Sequence, residues 1–317
     1  MTSIEMRWLQ SIGLGKSERG AVNRDNHSRP TLLSVCSGIG GLDIACERQL
    51  KTEPLGYIEQ NAYAQAVLMA RMEDKTLGAA PIFSDLRAFD GRPLHGLVDW
   101  LVGGIPCQPH SLAGQQRRHT DQRDLVDEFL RLVGEMEPEI CFVENVRGFI
   151  AGDGLGRLLG GLADFGFDAE WETLSASWAC GAPHKRERVF VLAYRNNERC
   201  RTLRRANGWG NVGNANGSRL QRRGRPLAGR PDELPAWPPG PKGNWSAIPP
   251  QFWPATKSGF RGVVDGVRPS AQFGRFSHPE QFRTERLRSL GNACIPQQAE
   301  AALCLLMQRS LQNDLDS

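Results

Sequence analysis

Long hydrophobic runs are what this 317-residue sequence most plainly lacks. No uninterrupted apolar stretch approaches the roughly 20 residues that span a bilayer, and mean hydropathy is -0.42. The first 30 residues are polar and carry no apolar core of a signal peptide, so a cytoplasmic protein with no membrane partner is expected. Paired cysteines are missing too. Cys36, Cys46, Cys107, Cys141, Cys180, Cys200, Cys294 and Cys304 are scattered through apolar segments with no C-x-x-C pair. That pattern speaks against a disulfide scaffold and against a zinc site, so no metal is expected. Most of these thiols read as small buried hydrophobes. There is no internal repeat, and the G-x-G-x-x-G spacing of NAD-binding turns is absent.

What is present is an uneven distribution of charge. Residues 195–290 hold 18 Lys/Arg against 6 Asp/Glu, while the rest of the chain is net acidic and the whole carries only +4. An acidic body with a basic segment fits a polyanion held by one part of the molecule, or else a solvated basic surface.

From residue 31 to 194, short apolar runs alternate with amphipathic stretches. Strands are predicted at 32–36, 55–58, 98–102, 140–143 and 189–193, and helices at 42–47, 62–72, 125–137 and 155–165. Strands separated by helical pattern imply parallel βαβ units and an open α/β sheet with its ligands at the carboxyl ends of the strands. Beyond Tyr194 the periodicity collapses. Nine prolines fall between Pro226 and Pro254, and four tryptophans (Trp209, Trp237, Trp245, Trp253) lie among arginine-rich stretches. Regular structure is predicted again at 297–308, as an amphipathic helix after Pro296.

Six places in the chain carry chemistry. In Leu32-Leu-Ser-Val-Cys-Ser-Gly-Ile-Gly-Gly41 an apolar strand runs into a glycine turn and a helix, which lets the backbone approach a ligand. Glu59 follows the second strand, where a carboxylate can accept both hydroxyls of a ribose, and Asp85 ends a short strand within reach of an adenine ring. Either acid alone is as readily a helix cap; their order after a glycine turn favours an adenosine ligand. In Gly103-Gly-Ile-Pro-Cys-Gln-Pro-His-Ser-Leu-Ala-Gly114, Cys107 sits between prolines in a loop beyond a strand, where a thiolate nucleophile is useful. Glu144 and Asn145 end the next strand on the same edge. Arg186 and Arg188 precede another, and their i, i+2 spacing puts both guanidiniums on one face of an extended chain.

Residues 37–41, 106–114, 144–146, 183–190 and 291–296 resemble, in order, the motifs of the DNA cytosine-5 methyltransferase family, most of all its bacteriophage and prophage members. The likeness covers about Leu32 to Tyr194 and resumes at Leu287 to Leu306. It implies a Rossmann-like core that uses S-adenosylmethionine, with a mostly parallel sheet, divided between residues 31–194 and 287–311. A polar tail (1–30) precedes it, and a small irregular target-recognition region (195–286) interrupts it. The implied cofactor contacts are Cys36, Ser37, Gly38, Gly40, Gly41, Leu42, Glu59, Gln60, Asp85, Leu86, Pro106 and Asn292. The implied catalytic set is Cys107 attacking C6 of cytosine, Glu144 serving N3, and Arg188 with Arg186 holding O2. Asn145 would order the loop around Cys107. Ser111, Arg117, Arg118 and Arg123 would meet DNA from a loop closing over the site. The target base must be flipped out of the duplex.

The sequence departs from the family pattern at Cys36, where an aromatic residue is usual, at His110, where Phe is common, and at His184, which replaces Gln. The implied protein is a monomeric enzyme on double-stranded DNA, either one half of a restriction–modification pair whose endonuclease acts separately or an orphan phage enzyme. An RNA cytosine-5 methyltransferase of the same architecture remains an alternative, as does a catalytically silent DNA-binding protein.

Overall fold

Strand β1 (Thr31–Val35) is buried along its whole length, as expected for a run that is apolar on both sides within a sheet covered on both faces. The fold around it comes from a computed structural model, which describes residues 29–106, 124–182, 184–206 and 279–316. The other strands are β2 (Glu53–Ile58), β3 (Ile82–Phe83), β4 (Trp100–Gly104), β5 (Ile140–Val146), β6 (Phe167–Ser175) and β7 (Glu187–Arg195). The helices are α1 (Gly41–Leu50), α2 (Ala62–Glu73), α3 (Val126–Met136), α4 (Gly148–Ala151), α5 (Gly154–Asp164), α6 (Ala176–Cys180), α7 (Glu198–Ala206), α8 (Pro279–Asn292) and α9 (Pro296–Asp316). None of the described helices is long and apolar enough to cross a membrane.

The strand order is β3-β2-β1-β4-β5-β7-β6. Pairing is parallel from β3 through β5, while β7 runs antiparallel to both β5 and β6. The chain winds outward from β1 in one direction through β2 and in the other through β4. This reversal leaves a crevice beyond the carboxyl ends of β1 and β4, where open α/β sheets place their ligands.

Alternation along each strand divides the core between two faces. Leu33, Val35, Leu101, Cys141, Val143, Val189 and Val191 point to one side, where they meet Phe129, Leu132 and Val133 of α3 and Leu158 and Leu162 of α5. Those helical residues recur every three or four positions, the spacing of one buried stripe. Leu32, Trp100, Val102, Ile140, Phe142, Phe190 and Leu192 point the other way, onto Leu42, Ala45 and Cys46 of α1 and Ala299, Leu303 and Leu306 of α9. Both faces are therefore dry, and truncating a residue such as Phe129 or Phe142 to Ala costs about 3–5 kcal/mol.

Several elements differ from the sequence expectation. β4 lies two residues later than 98–102, because Asp99 is taken up in capping the start of β1. Its Oδ2 accepts from the Thr31 amide at 2.9 Å, and its own amide donates to Thr31 Oγ1 at 2.9 Å. Gly103 and Gly104 are then the last two residues of the strand; a side chain at Gly103 would strike Val35. β6, an edge strand, was not expected. The body also continues past Tyr194: α7 buries Cys200 against the sheet, and its Arg204 is 2% exposed, stacked over Tyr194 at 4.5 Å. Arg199 of α7 pairs with Asp99 at 2.6 Å and Glu139 at 3.4 Å. Part of the basic stretch is thus neutralised inside the body. α8, starting at Pro279, was not expected either, and α9 is longer than 297–308.

Candidate active site

β1 delivers its last turn to the crevice through three left-handed residues: Cys36 (φ 51), Gly38 (φ 56) and Gly40 (φ 78). Glycine takes that conformation without cost; Cys36 takes it with some strain. The turn is tied to β2, with the Ser37 amide donating to Ile58 O at 3.2 Å. Glu59, just beyond β2, locks it further. Its Oε2 accepts from the Gly38 amide and its Oε1 from the Asn61 amide, each at 2.7 Å. Each carboxylate oxygen keeps a lone pair for a ribose hydroxyl. A Cβ at Gly38 would meet nothing within 4 Å. The loop therefore faces open space beside a fixed carboxylate, and these residues fit the adenosine part of S-adenosylmethionine.

A glycine also connects this side to the next strand. A Cβ at Gly104 would come no closer than 3.5 Å to Cys36 O and 3.7 Å to Glu144 Oε2. No side chain of β4 separates the glycine turn from Glu144. Glu144 ends β5 and is 6% exposed. Arg188 approaches from β7, its Nε 2.7 Å from Glu144 Oε1; this is a close ion contact, but Oε1 has no aligned hydrogen bond. Burial pushes the Glu144 carboxyl above the usual carboxylate range, and Arg188 and then Arg186 partly offset that. Asn145, the next residue, donates from Nδ2 to Ile105 O at 2.8 Å. This bond fixes the chain two residues before Cys107.

Cys107 itself lies outside the described residues, as do Ser111, Arg117, Arg118 and Arg123. Among the other expected positions, Gly38, Gly40, Ser37 and Glu59 come together at one rim, and Glu144 and Arg188 at the adjoining one. Gly41 serves packing: a side chain there would collide with Cys294 O, so α1 and the turn before α9 touch through backbone. Leu42 and Leu86 are buried in the core. Gln60, Pro106 and Asn292 are exposed. Asp85 is exposed as well, with its Oδ1 accepting from the Arg87 amide at 2.9 Å. Burial, with Glu59 nearby, raises the Cys36 thiol to about 12, so it stays protonated. His184 falls below its ordinary value through burial.

Arg186 and Arg188 both act on Glu144, but they are presented by different backbone. Arg186 lies before β7 begins and adopts φ 39, so the i, i+2 rule for extended chain does not reach it. Its Nη2 donates to Gly291 O at 2.8 Å and to Ala293 O. Two further positioning residues escaped the sequence reading. Asn61 caps α2, accepting from the Ala64 amide at 2.9 Å, and donates to Glu285 Oε2 of α8 at 3.0 Å. Gln298, fully buried, donates from Nε2 to Leu174 O at 2.9 Å and Arg186 O at 2.8 Å. Neither contact has a local signal, since the partners are more than 100 residues apart in sequence.

The strand order and the two rims at its switch point define a Rossmann-like α/β core. The chain belongs to the C-5 cytosine-specific DNA methylase family, whose model matches residues 31–216. It is 32% identical over 169 residues to the type II methyltransferase M.NgoMIV of Neisseria gonorrhoeae, covering 52% of this chain and 52% of that one. The identity is again 32% over 169 residues to M.PspPI of Psychrobacter sp. (strain TA137), covering 52% of this chain and 39% of the relative. The chain thus spans about half or less of the length of these relatives. Among solved structures, S. pombe Dnmt2 methyltransferase superposes with a TM-score of 0.50 at 15% identity, covering 89% of this chain and 99% of that one. That likeness is one of fold.

Proposed function

We propose that this chain transfers a methyl group from S-adenosylmethionine to C5 of a cytosine flipped out of duplex DNA. We read it as a monomeric modification enzyme, either of a restriction–modification pair with a separate endonuclease or of a phage. The observation that carries this reading is the buried Glu144–Arg188 contact, 2.7 Å long, beside the strand end that leads into Pro106-Cys107. Cytosine is a poor electrophile at C6 and needs both a nucleophile and relief of the negative charge that attack places on the ring. Cys107 supplies the thiolate. Glu144, its proton held by burial, hydrogen-bonds N3, and the Arg188 guanidinium faces O2. The cofactor, held at Gly38 and Glu59, supplies an electrophilic methyl group. Loss of the C5 proton then expels Cys107.

Duplex DNA with 5-fluorocytosine in place of cytosine tests the scheme, because fluorine cannot leave C5 as a cation. The expected result is a denaturation-resistant adduct that requires S-adenosylmethionine and maps to Cys107. An adduct at another cysteine, or methyl transfer to tRNA with none to duplex DNA, overturns the reading.

A further inference from the structure

Helix α8 is where the chain returns to the body from residues 207–278, and it touches the two rims at separate points. Along its length, Glu285 accepts from Asn61 Nδ2 at 3.0 Å, and the Asn61 amide is itself bound to Glu59 Oε1 at 2.7 Å. At its carboxyl end, the carbonyls of Gly291 and Ala293 take the Arg186 guanidinium, with Leu290 O at 3.5 Å. A cation suits a helix C-terminus, whose last carbonyls have no partner within the helix. The Arg186 backbone is pinned from the other side by buried Gln298, and Lys185 O accepts from the Ala176 amide at 2.6 Å. With its donors turned to α8, Arg186 leaves Arg188 as the guanidinium in contact with Glu144.

We propose that α8 is a strut that sets both halves of the site. Arg186 is a positioning residue acting through Arg188 and Glu144, and Glu285 acts through Asn61 on Glu59. The two arginines, equivalent in sequence pattern, thereby have different tasks. The inference rests on the functional reading above, since it assigns the two rims to base and cofactor.

Steady-state kinetics on unmethylated genomic duplex DNA with labelled S-adenosylmethionine test it through a split between kcat and KM. Arg186→Gln should lower kcat on the order of 100-fold, as a small misplacement of the reacting groups does, with little change in the KM for S-adenosylmethionine. Arg186→Lys, which keeps the charge and can still reach a carbonyl, should recover part of that loss and serves as the measure if the Gln variant does not fold. Glu285→Ala should raise the KM for S-adenosylmethionine several-fold, with the smaller effect on kcat. Unchanged kcat in both Arg186 variants, or the same constant dominating the effect of both the Arg186 and Glu285 changes, overturns the strut. A wild-type protein inert on duplex DNA sinks the functional reading instead. In that case calorimetric titration of Glu285→Ala with S-adenosylmethionine still decides the cofactor arm, and unchanged affinity removes it.

Discussion

The two rims of the crevice are built from different materials. On the cofactor side the fixed donors are backbone amides, Gly38 and Asn61 converging on Glu59. On the base side they are long side chains: Arg188 toward Glu144, Arg186 and Gln298 onto carbonyls, Asn145 onto Ile105 O. A rim made of backbone needs the right dihedrals and tolerates varied side chains. A rim made of side chains needs particular residues. Substitutions should therefore act steeply on the base side and mildly on the cofactor side.

The largest effect is expected at Cys107. A serine hydroxyl is far less ionised than a thiol, so Cys107→Ser should lower methyl transfer by roughly 10⁴–10⁶-fold while DNA binding in a mobility-shift assay persists. A serine variant within tenfold of wild type would remove Cys107 from the chemistry and the comparison with it.

Next comes Glu144. Glu144→Gln keeps the shape but cannot transfer a proton, and should slow adduct formation by about 100-fold or more with binding largely intact. The sign of its pH dependence follows from burial. A carboxyl held above its ordinary range stays protonated to higher pH, so the wild-type rate should fall on the alkaline side as that proton is lost. Glu144→Gln should lack this limb. An alkaline limb that persists in the variant assigns it to another group.

These expectations also show how far the sequence could be read. The glycine turn clamped by Glu59 was legible because turn glycines and an acid after β2 are local signals, and the order of the strands put Glu144 at the same sheet edge; Cys107 lies outside the described residues. The left-handed backbone of Arg186, and its bonds to the carbonyls after α8, were not legible because nothing local announces them. β6 carried a signal that went unread: Asp168, Glu170 and Glu172 alternate with Phe167, Ala169 and Trp171, the period-2 pattern of an edge strand whose residues are mostly only part-buried. The arginines of α7 read as part of a basic segment that either holds a polyanion or is a solvated surface, yet Arg199 and Arg204 are taken up by Asp99, Glu139 and Tyr194, partners that only the tertiary fold supplies.

On the cofactor rim, Glu59→Ala should weaken S-adenosylmethionine binding by about 1.5–3 kcal/mol, the worth of a hydrogen bond to a charged group. Because Glu59 also fixes two amides, the loss should fall in affinity more than in kcat. Calorimetry with unchanged affinity would remove Glu59 from the cofactor site and leave it as a structural clamp for the glycine turn.

The smallest expected effect lies directly below that turn, where the comparison can be sharpened further. Glu144 is buried with Arg188 against it; Asp43, in the first turn of α1, is fully buried, with neither carboxyl oxygen in a well-aligned hydrogen bond although the Ser34 hydroxyl is close enough to ease its charge. Burial, with Glu47 adding to it, raises Asp43 from 3.8 to about 7, and the neighbouring Ser34 and Arg71 only partly oppose that. The folded protein therefore holds a proton that the unfolded chain releases above about pH 4. Stability should fall as pH rises from about 4 to about 7, with the full penalty present above that. Asparagine is nearly isosteric and uncharged, but its amide would also be buried without partners, so only part of the penalty is recovered. Asp43→Asn should stabilise the protein by about 1–2 kcal/mol at pH 8 and by little at pH 5. Thermal unfolding of both proteins at the two pH values measures this. A stabilisation equal at pH 5 and pH 8 would mean that Asp43 carries no shifted proton, and that the cofactor rim holds no uncompensated charge.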